Sequence, residues 1–280
     1  MLTLSPSRAK KWIRCKKSYD WRYNKKLVRV RKEVRLSLGS VMSEVWAGYY
    51  EVPHRDSATM ADSLAKVLEN NKLAFLGNHP DKERNEDWDK IVRVSGALSE
   101  RYPQWAAPKD EFTVVAVETS FTIPLTPNLN LLAIPDTVVL VDDSRMILEH
   151  KVRYRYRLGD FTIDYQSAGT CLASNCEGTI YNIAEYSKLK FHRDTIMRTP
   201  EELNYFKNIF IHIGEDILSI TPDRVLYPEP MRRCACEYWD LCNAEIQGFD
   251  VEDLINDLYM VTTRGKPQVV EVEPEEQEGE

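Results

Sequence analysis

Two carboxylates and an ammonium stand at spacings that can bring them to one spot. In the segment RMILEHKV, residues 145–152, strand alternation sends Glu149 and Lys151 to one face and Met146, Leu148 and Val152 to the other, with His150 on the apolar side. Asp136 precedes Glu149 by twelve intervening residues and falls on what reads as the neighbouring strand of a hairpin turning at Asp142-Asp143-Ser144. Such a group suits phosphodiester hydrolysis. Carboxylates hold a hard divalent cation, magnesium or manganese, which binds the scissile phosphate and makes its bound water acidic enough to attack. The lysine complements charge building on phosphorus. Standing alone, a Glu-x-Lys strand is as well explained by an exposed ion pair.

A second set of candidate ligands is sulfur. Cys234, Cys236 and Cys242 cluster in MRRCACEYWDLC, and Cys15 stands near the other end of the chain. With no secretory leader in MLTLSPSRAKKWIRC, a cytoplasmic address is expected, and thiols there serve more readily as ligands than as disulfides. Four thiolates are the usual set for a [4Fe-4S] cluster, and they also suit a tetrahedral zinc. Buried free thiols are the blander reading. Cys171 and Cys176, five apart on one helix, read as core residues.

The elements that must position these groups follow from periodicity. Ser5-Pro6 starts a helix running to about Tyr23. Another begins near Leu38, and Met60, Leu64, Val67, Trp88, Ile91 and Leu98 keep helical spacing, so residues 40–107 form a helical block. After Pro108 the stretches FTVVAV, TSFTIPL, NLLAIPDTVVLV and RMILEHKV read as four strands. Helices return from Asp164 to about Leu189, and a capping box at Thr199-Pro200-Glu201-Glu202 opens one more, to about Leu218.

Taken alone, the charge balance of −7 argues against a nucleic-acid partner, but its distribution matters more. Residues 265–280 carry six Glu and one Lys, so their −5 leaves −2 for the rest. Between Arg8 and Arg35 there are thirteen Lys or Arg against Asp20 and Glu33, an excess of +11, interleaved with Trp12, Tyr19, Trp21 and Tyr23. That segment suits a phosphate backbone, or a solvated helix face balanced by acidic neighbours. No apolar run is long enough to span a bilayer, and no membrane partner is expected.

Pro135-Asp136 followed by Glu149-His150-Lys151 resembles the signature of the PD-(D/E)xK nuclease superfamily. The order sharpens the likeness: a helix with Cys15, a helix start with Gly39, the Asp and Glu-x-Lys strands, a helix with Gln166, then three cysteines. Over roughly residues 4–245 the chain is similar to the RecB and Cas4 type, which includes Dna2-like and phage exonucleases. The resemblance implies a divalent metal on Asp136, Glu149 and the His150 carbonyl, water handled by Lys151, and a site oriented by Gln166. It also implies a [4Fe-4S] cluster on Cys15, Cys234, Cys236 and Cys242. The sequence departs from the pattern at Ser43, where the family's histidine ligand is usual, at Thr170 in place of a tyrosine, and at Ala133 in place of a glycine.

The expected fold is α/β: a restriction-endonuclease-like core of mixed sheet flanked by helices, with a helical insertion at about 40–107. An iron-sulfur segment at about 228–245 would close onto Cys15. Residues 1–262 form one domain, and 263–280 a disordered acidic tail. The expected function is DNA-end cleavage, exonucleolytic, on single-stranded or frayed ends in recombination, repair or replication. The rivals are Cas4-like spacer processing with a CRISPR integrase, and a silent DNA-binding module. If the Glu-x-Lys strand runs on, Arg153, Arg155 and Arg157 make a basic rail that, with Arg8 and Lys11, grips DNA.

Overall fold

The chain folds as its capping and branching residues direct. The structure, a computed structural model, describes residues 1–30, 34–77, 81–221, 226, 228 and 236–262, and for 34–36 the backbone alone. Strand β1 (Leu2–Leu4) leads into α1 (Pro6–Arg14), where the Ser5 side chain accepts the Arg8 N–H and Pro6 occupies a first-turn position that needs no donor. Next come α2 (Lys16–Tyr19), a π-helical turn at Asp20–Asn24, and β2 (Leu27–Arg29). Helices α3 (Val34–Tyr50), α4 (Ser57–Leu76) and α5 (Lys82–Ala106) make up the helical block expected there. Five strands follow: β3 (Thr113–Val117), β4 (Phe121–Thr126), β5 (Leu129–Ala133), β6 (Thr137–Val141) and β7 (Ser144–Arg153). Then come α6 (Tyr165–Ser174), β8 (Gly178–Glu185), β9 (Lys190–Met197) and α7 (Pro200–Leu218), the last opened by the expected capping box. The chain closes with α8 (Trp239–Ile246), α9 (Glu252–Leu258) and β10 (Tyr259–Val261).

The central sheet has the order β3-β6-β7-β8-β9, with β7 and β8 parallel and the other pairs antiparallel. A smaller sheet, β1-β5-β4, and a β10-β2 pair stand apart from it. Three expectations need correcting. The stretch NLLAIPDTVVLV is two strands in different sheets, because Pro135 has no N–H for a ladder and bends the chain between β5 and β6. The helix expected to Leu189 ends at Ser174, where Asn175 takes a left-handed conformation (φ 52°), and residues 178–185 are a strand. Strand β7 stops at Arg153, so Arg155 and Arg157 do not continue its face.

Alternation along the strands divides the core. Val139, Met146, Leu148 and Ile180 face α3, α4 and α5, while Val138 and Ile147 face Cys171 and Cys176. Beyond α6, the helices α1 and α7 and the small sheet enclose Trp12, Leu129, Leu131, Ala168 and Phe210. Trp21, Leu27, Tyr238, Leu241, Cys242 and Tyr259 join the early and late segments in a cluster of their own. Among the described residues no helix is long and apolar enough to cross a membrane.

Candidate active site

The hairpin β6–β7 places the acid pair. Its register sets Thr137 against Leu148, and one step further Asp136 comes opposite Glu149. The His150 backbone N–H donates to Asp136 Oδ2 at 2.8 Å. Glu149 is buried, and its Oε1 accepts from the Lys151 ammonium and, at 3.3 Å, from the Gln166 side-chain amide on α6. Thus Asp136, Glu149, Lys151 and Gln166 do converge, from two adjacent strands and the helix against them.

The electrostatics of this spot are those of crowded acids with one cation. Burial, then the neighbouring Glu149, holds Asp136 well above the usual carboxylate range, against the opposing pull of Lys151 and the His150 N–H. Burial alone would lower the Lys151 ammonium, but Glu149 and Asp136 outweigh it and its pKa is raised. Glu118 lies just past the end of β3 in a left-handed conformation (φ 44°), and its N–H donates to the Asp136 carbonyl at 3.1 Å. Desolvation first, then Glu149 and Glu44, push its carboxyl up to about 6.

The His150 ring lies on the opposite face of β7 from Glu149 and Lys151, as the alternation requires, with Nδ1 3.8 Å from Asp136 Oδ2. Its ring stacks on Trp46 with centroids 4.8 Å apart, and Nε2 lies 3.0 Å from the Tyr102 hydroxyl. Burial, then Arg193 and Lys151, lower its pKa to about 3, so the imidazole is neutral near pH 7.

The metal expectations need correction. Among the described residues no group of three or more His, Cys, Asp or Glu could hold a metal ion. This corrects the magnesium or manganese site expected on Asp136, Glu149 and the His150 carbonyl, and among the described residues Cys15, Cys236 and Cys242 make no [4Fe-4S] or zinc site. The reasons are local. Glu149 Oε1 accepts from Lys151 and Gln166, Asp136 Oδ2 accepts from a backbone N–H, and Ser43 stands where the resemblance implies an imidazole ligand. Of the cysteines, Cys234 lies outside the described residues. The Cys15 sulfur accepts the Ser18 N–H at 3.3 Å, Cys236 and Cys242 are free thiols, and Cys242 packs in the cluster with Trp21 and Tyr238. Its thiol is pushed up to about 11 by burial first, with Cys236 and Cys15 adding to the rise.

The expected DNA contacts are dispersed. Arg8 donates to the Thr3 carbonyl at 2.6 Å and to the Tyr19 hydroxyl at 3.1 Å, and Lys11 pairs with Glu237 at 2.6 Å. Lys16, Lys17 and Arg29 likewise pair with Asp216, Glu245 and Asp240. Arg153, Arg155 and Arg157 are exposed, Arg153 over the Phe161 ring and Arg155 over Tyr154. A residue missed in the sequence is Asp164. It caps α6 at Gln166 and takes both Lys10, at 3.3 Å, and the Tyr181 hydroxyl, at 3.4 Å. An Asp two residues before a site glutamine, at a helix start, was the available signal.

With this geometry in place, the sequence comparison decides the family. The model of the PD-(D/E)XK nuclease superfamily matches residues 3–243. The chain belongs to that superfamily. Membership brings the potential for nuclease catalysis and for binding nucleic acid. No curated protein matches the sequence. Among solved structures, the crystal structure of SSO0001 is similar at 10% identity with TM-score 0.44, over 86% of each chain. An alkaline exonuclease from Laribacter hongkongensis is similar at 8% identity with TM-score 0.32, over 62% of this chain and 86% of that one. Both likenesses are too remote to bring a substrate with them.

Proposed function

We propose that this superfamily member hydrolyses phosphodiester bonds in DNA, acting at single-stranded or frayed ends in recombination, repair or replication. The observation that supports it most is the convergence of Lys151 and the Gln166 amide on Glu149 with Asp136 set opposite. In that arrangement the ammonium offsets negative charge building on phosphorus. Glu149 is placed to take a proton from attacking water, and Asp136, whose pKa is raised by burial and by Glu149, to return one to the leaving oxygen. The exposed Arg153, Arg155 and Arg157 offer phosphate contacts. Tyr154, Leu158 and Ile163 are exposed on the same connection to α6, and such side chains suit unpaired bases better than a closed duplex.

The test is cleavage of end-labelled single strands, duplexes and closed circles, with and without added divalent cation. The wild type should shorten linear strands and spare closed circles. Lys151→Ala and Asp136→Asn should each slow cleavage by at least about 100-fold, the scale of losing one transition-state contact, with far-UV circular dichroism unchanged. Full activity in folded Lys151→Ala overturns the assignment of roles. One observation favours a second reading, a silent DNA-binding module: Glu149 Oε1 already accepts from both Lys151 and Gln166. DNA binding by a wild type that cuts no substrate would establish that reading instead.

A further inference from the structure

On the face of β7 opposite the acid pair, five polar side chains close a ring. Asn182 Nδ2 donates to the Tyr102 hydroxyl at 2.7 Å, and the Tyr102 and Tyr50 hydroxyls lie 2.9 Å apart. Tyr50 donates to Asp110 Oδ2 at 2.7 Å, and Asp110 Oδ1 pairs with Arg193 Nη2 at 2.6 Å. Arg193 Nε returns to Asn182 Oδ1 at 2.8 Å. The ring joins α3, α5, the turn after α5, β8 and β9, and His150 hangs from it through the 3.0 Å contact of Nε2 with Tyr102.

Counting protons around the ring fixes what His150 carries. Each tyrosine hydroxyl has one proton to give. That of Tyr50 goes to Asp110, so the Tyr50–Tyr102 contact must be made by the proton of Tyr102. Tyr102 has none left for His150, and only an N–H on Nε2 completes that contact. The opposite tautomer would leave two buried hydroxyl oxygens side by side with no proton between them. His150 Nδ1 is therefore an acceptor, and it lies 3.8 Å from Asp136 Oδ2.

We propose that Tyr102, through this ring, is a positioning residue for the acid pair: it locks His150 in the Nε2–H tautomer, so that the His150 backbone N–H alone orients Asp136 Oδ2. A proton on Nδ1 would be a second donor aimed at that oxygen and would draw it from its place beside Glu149. The role in catalysis rests on the cleavage reading above.

The experiment is ¹⁵N NMR of the imidazoles, with the His150 signal assigned by its loss in His150→Gln, alongside single-turnover cleavage and DNA affinity. The wild type should show Nε2 protonated and Nδ1 bare. Tyr50→Phe releases the Tyr102 proton to Nε2, so His150 should switch to Nδ1–H. Cleavage should then fall about tenfold at unchanged DNA affinity, the pattern of a misplaced group and not of a lost binding contact. Nδ1–H in the wild type overturns the proposal, and that spectrum needs no variant to fold. An unchanged rate in a Tyr50→Phe protein that has switched tautomer overturns the positioning role. A wild type that cuts nothing defeats the nuclease reading and the positioning role with it, while its spectrum still decides the tautomer.

Discussion

Lowering the pH should expose the cost of keeping His150 neutral. The imidazole is buried against Trp46, and burial, then Arg193 and Lys151, take its pKa from 6.5 to about 3. The unfolded chain takes up a proton as pH falls through 6.5, and the folded chain does not until about 3. The stability His150 contributes is thus complete above 6.5 and lost progressively as pH falls across that window. At roughly 1.4 kcal/mol per pH unit, the loss by about pH 5 is ~2 kcal/mol. Glu118 and Asp136 act in the other direction, since their raised pKa values let the folded state bind protons first. The wild-type curve alone would mix these effects. His150→Gln keeps a polar side chain beside Tyr102 and removes only the titrating ring. Urea unfolding of both proteins at about pH 7.5 and about pH 5 should therefore show the wild type losing ~2 kcal/mol relative to the variant. Stability curves that stay parallel across that range would refute the argument, because they would mean that His150 protonates as readily folded as unfolded.

Two further outcomes follow from packing and from charge. A Cβ at Gly169 would lie 2.6 Å from Pro6 Cγ and 2.7 Å from Phe210 Cζ, so Gly169→Ala should push α1, α6 and α7 apart and cost about 1–3 kcal/mol. A thermal midpoint equal to wild type would contradict that contact. Replacing Arg153 and Arg155 by Gln should weaken DNA binding alike for all sequences and reduce the slope of log affinity against log salt by about one per lost phosphate contact. A slope that does not change would place the DNA on another surface.

The sequence made the acid pair legible because β7 and β6 alternate and their turn is local: Asp136, Glu149 and Lys151 needed only period and spacing. Strand β8 was hidden for the opposite physical reason. Both of its faces are covered, every residue from Gly178 to Glu185 is buried, and its polar residues Thr179, Asn182 and Glu185 recur every third position, a spacing nearer a helix than an alternating strand. The meaning of the +11 segment was equally out of reach. Four of its charges, on Lys11, Lys16, Lys17 and Arg29, are met by Glu237, Asp216, Glu245 and Asp240, some 200 residues further along the chain. The cysteines misled because spacing along the chain does not report what surrounds each thiol, and Cys242 packs among Trp21, Leu241 and Tyr238 in an apolar cluster. No local pattern could have announced the ring around Tyr102, because each of its members comes from a different element.

The turn between β6 and β7 also bears on the order of assembly. Val141 pairs with Ser144 across a two-residue connection in which Asp142 and Asp143 both have positive φ, 46° and 68°, matching the twist of the strands it joins. Hairpins of this kind close within about 1–10 μs. The parallel pairing of β7 with β8 must wait for α6 to cross over, and the ring around Tyr102 for helices that lie far earlier in the chain. Asp136 and the Glu-His-Lys strand therefore meet while most of the core is still open to water, and the groups that hold His150 close over a template already in register. A flaw in the Asp142–Asp143 turn would then be felt mainly as slow refolding, with the rate of unfolding little changed.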